Sequence, residues 1–166
     1  MNIRLASMQD LGSLKQMYRE IVHHMNENGI DIWDDVYPCE FLKDDIENGS
    51  LYVLDNDKQI VGAFALCESN DGEKYVQWKY DHPMYIDRVG VHVHYLRQGI
   101  GSLLLKEAMK ISKDKNKNCL RLFVVDINKP AIDLYKKNGF EEVEGIYDEV
   151  IDEDLVLHEY GFEVKL

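Results

Sequence analysis

The sequence predicts a mixed α/β domain of the α+β kind, with helices packed on a mixed sheet. Three observations carry this. Apolar residues recur at helical spacing in two long segments, Leu14-Met17-Ile21-Met25 and Ile100-Leu104-Ala108-Ile111. Short apolar runs, Leu51–Leu54, Gln59–Cys67 and Cys119–Val125, are set off by turn residues as strands are. The chain has 166 residues, 45% of them apolar and 30% charged, the size and composition of one folded domain with a real core. No repeat, linker or low-complexity tract divides it, so residues 1–166 are expected to form a single domain.

The elements follow in order. Ile3–Ala6 reads as a first strand. Ser7-Met8-Gln9-Asp10 has the pattern of a capping box and starts a helix that Asn28-Gly29 ends. The segment Gly29–Tyr37 is a loop, and Pro38 opens a second short helix that runs to about Asn48. The strands Leu51–Leu54 and Gln59–Cys67 flank Asp55-Asn56-Asp57 and make a hairpin. Tyr75–Val93 is strand-rich and interrupted at His82-Pro83. Ile100–Ser112 is a helix, Cys119–Val125 a strand and Pro130–Lys137 a helix that Gly139 stops. Phe140–Val164 holds two further strands. The expected order is β-α-α-β-β-β-α-β-α-β-β.

Composition narrows the function classes. The formal charge of −12 repels phosphate backbones and disfavours nucleic-acid binding, while it attracts cations such as protonated amines. The same charge also serves solubility alone. Cys39, Cys67 and Cys119 are widely spaced and odd in number, which reads as reduced thiols. The first residues lack the apolar stretch of a signal peptide, and no run is long enough for a membrane span, so a cytoplasmic protein is expected.

The strongest chemical signal is Val91-His92-Val93-His94-Tyr95-Leu96-Arg97-Gln98-Gly99-Ile100-Gly101-Ser102, an apolar strand, a glycine-containing turn and a helix in immediate succession. Glycines allow close approach of a ligand to the backbone. The first turn of a helix offers unpaired N–H groups and partial positive charge. Together they suit a pyrophosphate, with Arg97 beside it. Neither GxxxxGK[ST] nor GxGxxG is present. Read alone, the loop fits either an anion cradle or a tight turn whose glycines serve packing.

A second run, Asn128-Lys129-Pro130-Ala131-Ile132-Asp133-Leu134-Tyr135-Lys136-Lys137-Asn138-Gly139-Phe140, follows about thirty residues on. The two runs together, in order and on matching elements, resemble motifs A and B of the GNAT superfamily of acyl-CoA N-acyltransferases. The resemblance is clearest over Tyr85–Phe140 and extends across nearly the whole chain. One departure stands in motif A, where the usual Gln or Arg position is Leu96 and Arg97 is its neighbour. The resemblance implies acetyl-CoA as co-substrate, lying between two splayed parallel strands, and an amine acceptor on a small molecule or protein. By similarity, backbone groups of Val91 and Val93 would meet the pantetheine arm. The amides of Arg97, Gln98, Gly99, Ile100, Gly101 and Ser102 would hold the pyrophosphate, and Asn128 would help fix the coenzyme. A homodimer is compatible with the family; a metal, nucleic acid or membrane partner is not implied.

Direct attack of an amine on a thioester needs a base for the ammonium and an acid for the departing thiolate. The resemblance assigns the acid to Tyr135, which otherwise reads as an aromatic packing on Ile132. Asp87 is the candidate base, with strict alternation putting it on the side of Val89 and Val91 unless a bulge intervenes; otherwise it reads as a solvated or Arg88-paired carboxylate. Trp33 and Tyr37, in the loop that covers the acceptor pocket in this family, are candidate substrate contacts, or core plugs. His92 and His94 have metal-like spacing without further ligands and read as ordinary polar side chains. Two alternatives stay open: a catalytically silent domain that senses acyl-CoA, and transfer of a different acyl group.

Overall fold

Alternation and turn chemistry place most elements within a few residues of their expected ends. The computed structural model describes residues 1–166. Its strands are β1 (Asn2–Leu5), β2 (Leu51–Asp55), β3 (Ile60–Cys67), β4 (Val76–Gln77), β5 (Pro83–Val91), β6 (Cys119–Val125), β7 (Glu141–Glu142), β8 (Glu144–Gly145), β9 (Tyr147–Val150) and β10 (Val156–Lys165). Its α-helices are α1 (Leu11–Glu27), α2 (Cys39–Glu47), α3 (Ile100–Asp114) and α4 (Lys129–Lys137). The fold is mixed α/β with mostly antiparallel strand pairing, as expected. The chain forms two compact units, Met1–Leu66 with Arg88–Glu107, and Cys67–Asp87 with Ala108–Leu166. Strand β5 and helix α3 each contribute residues to both.

In the first unit β1 runs antiparallel to β2, and β2 to β3. The turn between β2 and β3 is held by Asn56, whose carbonyl oxygen accepts from the N–H groups of Lys58 and Gln59 at 3.2 and 3.0 Å. The Ser7–Asp10 box is present, although it heads a 3-10 turn, Met8–Asp10, that leads into α1. The Asp10 carboxylate accepts from the Ser7 N–H at 2.7 Å and from Arg4 at 2.8 Å, and Arg4 also reaches Asp55 at 2.7 Å. Hydrogen bonding to Arg4, against some burial, holds the Asp10 carboxyl down at about 2. Helix α1 buries Leu14, Met17, Tyr18, Ile21 and Val22, and α2 buries Leu42, Asp45 and Ile46.

The later part of β5 departs from plain alternation. Arg88 has φ +53, a left-handed conformation within a strand and the mark of a bulge. Two contacts hold it there. Its guanidinium donates to both carboxylate oxygens of Asp45, at 2.7 and 2.9 Å. Its carbonyl accepts from the buried Tyr18 hydroxyl at 2.5 Å. Gly90 follows where a Cβ would lie 2.8 Å from the Tyr18 ring, so only glycine lets α1 approach this strand so closely.

In the second unit β5 pairs in parallel with β6 from Pro83↔Cys119 to Tyr85↔Arg121. Strand β6 pairs antiparallel with β10 along seven residues. The tail, expected as two strands, forms four. Val143 turns inward and its N–H donates to the Gly161 carbonyl at 2.9 Å, which separates β7 from β8. Gly145, at φ +112, brings β8 so close to Tyr75 that a Cβ would lie 2.7 Å from its carbonyl oxygen, and β8 therefore pairs with β4. The strand-rich stretch from Tyr75 resolves into a 3-10 turn at Glu73–Tyr75, the short β4 and then β5, with a left-handed His82 at the break before Pro83.

Arg121 is buried in this unit, with its Nε left without a hydrogen bond. It donates to the Tyr85 hydroxyl at 2.9 Å and to the Tyr80 carbonyl, lies 4.4 Å over the Trp78 ring, and faces the buried Glu163 at 3.6 Å. Glu163 in turn accepts from the Lys79 N–H at 2.6 Å. Around it Tyr85, Ile86, Leu120, Leu122 and Phe162 form the core.

Candidate active site

The glycine-containing loop lies in the first unit. Strand β5 stops at Val91, two residues sooner than expected, where Val93–Tyr95 coils into a 3-10 turn whose Tyr95 N–H donates to the His92 carbonyl at 2.8 Å. Val91 is therefore a strand residue and Val93 lies in the turn. His92 caps the turn, its Nδ1 accepting from the His94 N–H at 3.2 Å. The Tyr95 hydroxyl accepts from Asn56 and Gln59 at 2.9 and 3.0 Å, which ties the loop to the β2–β3 turn.

Leu96, Arg97, Gln98 and Gly99 are exposed, and Ile100, buried, seats the start of α3. Arg97 and Gly99 have φ +59 and +80. Nothing lies within 4 Å of where a Gly99 Cβ would be, so glycine answers a torsion here and leaves the backbone open to a ligand. The Gly99 carbonyl accepts from the Leu103 N–H at 3.0 Å, the first helical bond of α3. Ile100, Gly101 and Ser102 supply the first-turn amides, where a helix has its partial positive charge. An open left-handed loop, a helix start and an exposed arginine are a donor set that fits a diphosphate.

Trp33 and Tyr37, also in this unit, stand in an aromatic row. Ring centroids are 6.0 Å apart for Tyr18 and Trp33, 6.1 Å for Trp33 and Tyr37, and 5.4 Å for Tyr37 and Phe41. Both are half-buried. Asp34 shapes their loop by accepting from the N–H groups of Val36 and Tyr37 at 2.8 and 2.7 Å.

The second unit holds the candidate acid and base. Tyr135 on α4 is 8% exposed and packs on Phe140, with ring centroids 5.9 Å apart. No hydrogen bond accounts for its hydroxyl. Burial, and then the negative charge of Asp87, push its phenol well above the ordinary range. Asp87 is half-buried and directly precedes the left-handed Arg88, which interrupts the strict alternation assumed for it. The Arg88 guanidinium goes to Asp45. Asn128 is the N-cap of α4, its side-chain oxygen 3.4 Å from the Ala131 N–H. Gly139, at φ +87, ends the helix as expected.

Two residues that sequence reasoning missed join this group. The pairs Leu157↔Glu149 and Glu159↔Tyr147 make Glu149 and Glu159 diagonal neighbours on one face of the β9–β10 hairpin. Burial, a hydrogen bond with Glu149 and the charges of Glu149 and Asp87 push the Glu159 carboxyl up to about 9. Their only signal in the sequence is spacing on two strands, which needs the hairpin register to be read.

Both halves of this arrangement match known proteins. Residues 14–140 match the model of the Acetyltransferase (GNAT) family, and the chain belongs to that family. Among curated relatives it is 39% identical to thialysine N-epsilon-acetyltransferase of Bos taurus over 69 residues, 42% of this chain and 40% of that one. The similarity thus spans well under half of the bovine enzyme. A solved GNAT-family acetyltransferase of Streptococcus agalactiae superposes with a TM-score of 0.85 at 17% identity, covering 99% of this chain and 95% of that one. A Salmonella typhimurium protein solved with its cofactor acetyl-CoA superposes with a TM-score of 0.69 at 19% identity, covering 100% and 94%.

Proposed function

We propose that residues 1–166 act as one N-acetyltransferase domain that moves an acetyl group from acetyl-CoA to a primary amine of a small molecule or protein through a ternary complex. The observation that carries the reading is Tyr135. Its ring is buried on α4 against Phe140, and it stands where the family resemblance places the acid. The same observation favours an enzyme over a silent sensor.

Acetyl-CoA supplies an activated thioester. The amides from Arg97 to Ser102 bind its diphosphate, Val91 offers strand backbone to the pantetheine arm, and Asn128 caps the start of α4. Asp87 takes the proton of the ammonium. The free amine then attacks the thioester carbonyl carbon, a C–N bond forms and the C–S bond breaks. Tyr135 gives its proton to the thiolate and recovers one from the nitrogen as the amide forms. Burial and the charge of Asp87 keep its phenol protonated before the thiolate leaves. Trp33 and Tyr37 flank the acceptor.

Steady-state kinetics with acetyl-CoA and a panel of amines test this. Tyr135→Phe is expected to lower kcat about 100-fold or more with acetyl-CoA affinity unchanged. Equal turnover by the variant and the parent excludes Tyr135 as the acid. An Asp87→Asn variant with the parent's pH–rate profile excludes Asp87 as the base.

A further inference from the structure

In the first unit a single hydroxyl joins the β2–β3 turn to the loop that precedes α3. The Tyr95 oxygen accepts from Asn56 Nδ2 at 2.9 Å and from Gln59 Nε2 at 3.0 Å. The orientation of Asn56 is fixed by its own turn. Its side-chain oxygen is taken by the N–H groups of Lys58 and Gln59, so its amide nitrogen is the group that faces Tyr95. The turn is pinned from the far side by β1, where Arg4 reaches Asp55 at 2.7 Å and Asn2 donates to Asp57 at 3.2 Å. On the loop side the Tyr95 N–H donates to the His92 carbonyl at 2.8 Å, and the two rings meet edge-on with centroids 5.7 Å apart. Two and four residues further on, Arg97 and Gly99 are left-handed. Arg97 bears a side chain, and such a residue keeps this conformation only where its surroundings impose it. Residues 96–99 are themselves exposed. Besides Tyr95, they are held by a 3.2 Å bond from Gln98 Nε2 to the His94 carbonyl and by the buried Ile100 at the start of α3.

From this geometry we infer that Tyr95 is a positioning residue for coenzyme binding. Its hydroxyl, held by Asn56 and Gln59, fixes the left-handed path of residues 96–99 and with it the aim of the amides from Arg97 to Ser102. Donors set in place before a ligand arrives spare the complex the cost of ordering them. Tyr95 acts through the loop and needs no contact with the coenzyme. The ring alone would still pack on His92, so it is the hydroxyl that couples the loop to the turn. The β2–β3 turn, some forty residues earlier in the chain, thereby tunes how tightly the diphosphate is held. The inference deepens the acetyltransferase reading and rests on it for the identity of the ligand, while the restraint on the loop stands without it.

The experiment compares the full chain with Tyr95→Phe, which keeps the ring and removes only the hydroxyl, with Gln59→Met, which removes one of its two donors, and with the double variant. Two readouts are taken. The first is amide hydrogen exchange of Leu103 in the ligand-free chain, since its N–H donates to the Gly99 carbonyl at 3.0 Å and is freed when the loop opens. The second is coenzyme A affinity by calorimetry, with the KM for acetyl-CoA beside it. Tyr95→Phe is expected to exchange Leu103 about 3- to 10-fold faster and to weaken coenzyme A by a similar factor, with the loss in KM and kcat kept. Gln59→Met should show a smaller loss of the same kind, and none in addition once the hydroxyl is gone. A Tyr95→Phe variant that melts earlier yet keeps the parent's exchange and affinity overturns the positioning role, as does a double variant in which the two losses add in full. Absence of coenzyme A binding by the parent would instead overturn the acetyltransferase reading, and the exchange of Leu103 would still decide whether Tyr95 holds the loop.

Discussion

Replacing Asp45 by asparagine should destabilise the protein far more than a typical surface change. The two side chains of the Asp45–Arg88 pair are 10% and 8% exposed and meet through two hydrogen bonds of 2.7 and 2.9 Å. Asparagine keeps the shape and one acceptor but takes from the guanidinium the carboxylate charge to which it donates twice. Breaking such a pair from one side costs about 3–5 kcal/mol, a large share of the roughly 5–15 kcal/mol that holds a domain together. For a chain of this size that is a fall in Tm of about 6–20 °C. Urea denaturation followed by circular dichroism measures the loss, and an unchanged m-value would show that the unfolded state is the same. The reasoning also predicts that Asp45→Asn with Arg88→Met recovers most of it, since the stranded charge is then gone. A loss below about 1 kcal/mol would mean that water reaches the pair, and the account of the bulge would fail with it.

Other outcomes follow from the same structure. Gly90→Ala puts a methyl 2.8 Å from the Tyr18 ring and 3.0 Å from the Ile21 side chain. About 1–3 kcal/mol of overpacking is expected in the same denaturation assay. Asp10 has a folded value of about 2 against 3.8 for the free side chain, so its contribution is present above about pH 4 and is lost as pH falls toward 2. Asp10→Asn should flatten that acid limb, measured at low salt because Arg4 is largely exposed. Glu159 runs the other way. With a folded value of about 9 against 4.5, its contribution is full below 4.5 and is lost as pH rises toward 9. Glu159→Gln should therefore lose less stability than the parent between pH 5 and 9 in thermal melts.

The fold was legible where one rule decides each element. Helical spacing in α1 and α3, Asn56 in its turn, the box at Ser7–Asp10 and Gly139 after α4 are all local, and each stands where it was read. The short tail strands were not legible, because Val143 and Gly145 are placed by contacts with Gly161 and Tyr75, distant in the chain. The loop at Gly99 was visible as a pattern, yet the early end of β5 comes with a turn closed by a hydrogen bond from Tyr95 to His92 that no spacing announces. Tyr135 and Asp87 lay within motif-bearing segments, which made them the candidates for acid and base. Glu149 and Glu159 looked like ordinary solvated strand charges until the register of β9 and β10 made them neighbours.

Strand β10 pairs with β6, β7 and β9, three segments that all precede it in the chain. A nascent polypeptide leaving the ribosome at about 5–20 residues per second would thus present β6 with no antiparallel neighbour until residues 156–165 emerge. Arg121 would wait equally long for Glu163. The first unit has all its strands by Val91 and can settle early, so the second would be the stretch a chaperone guards during synthesis.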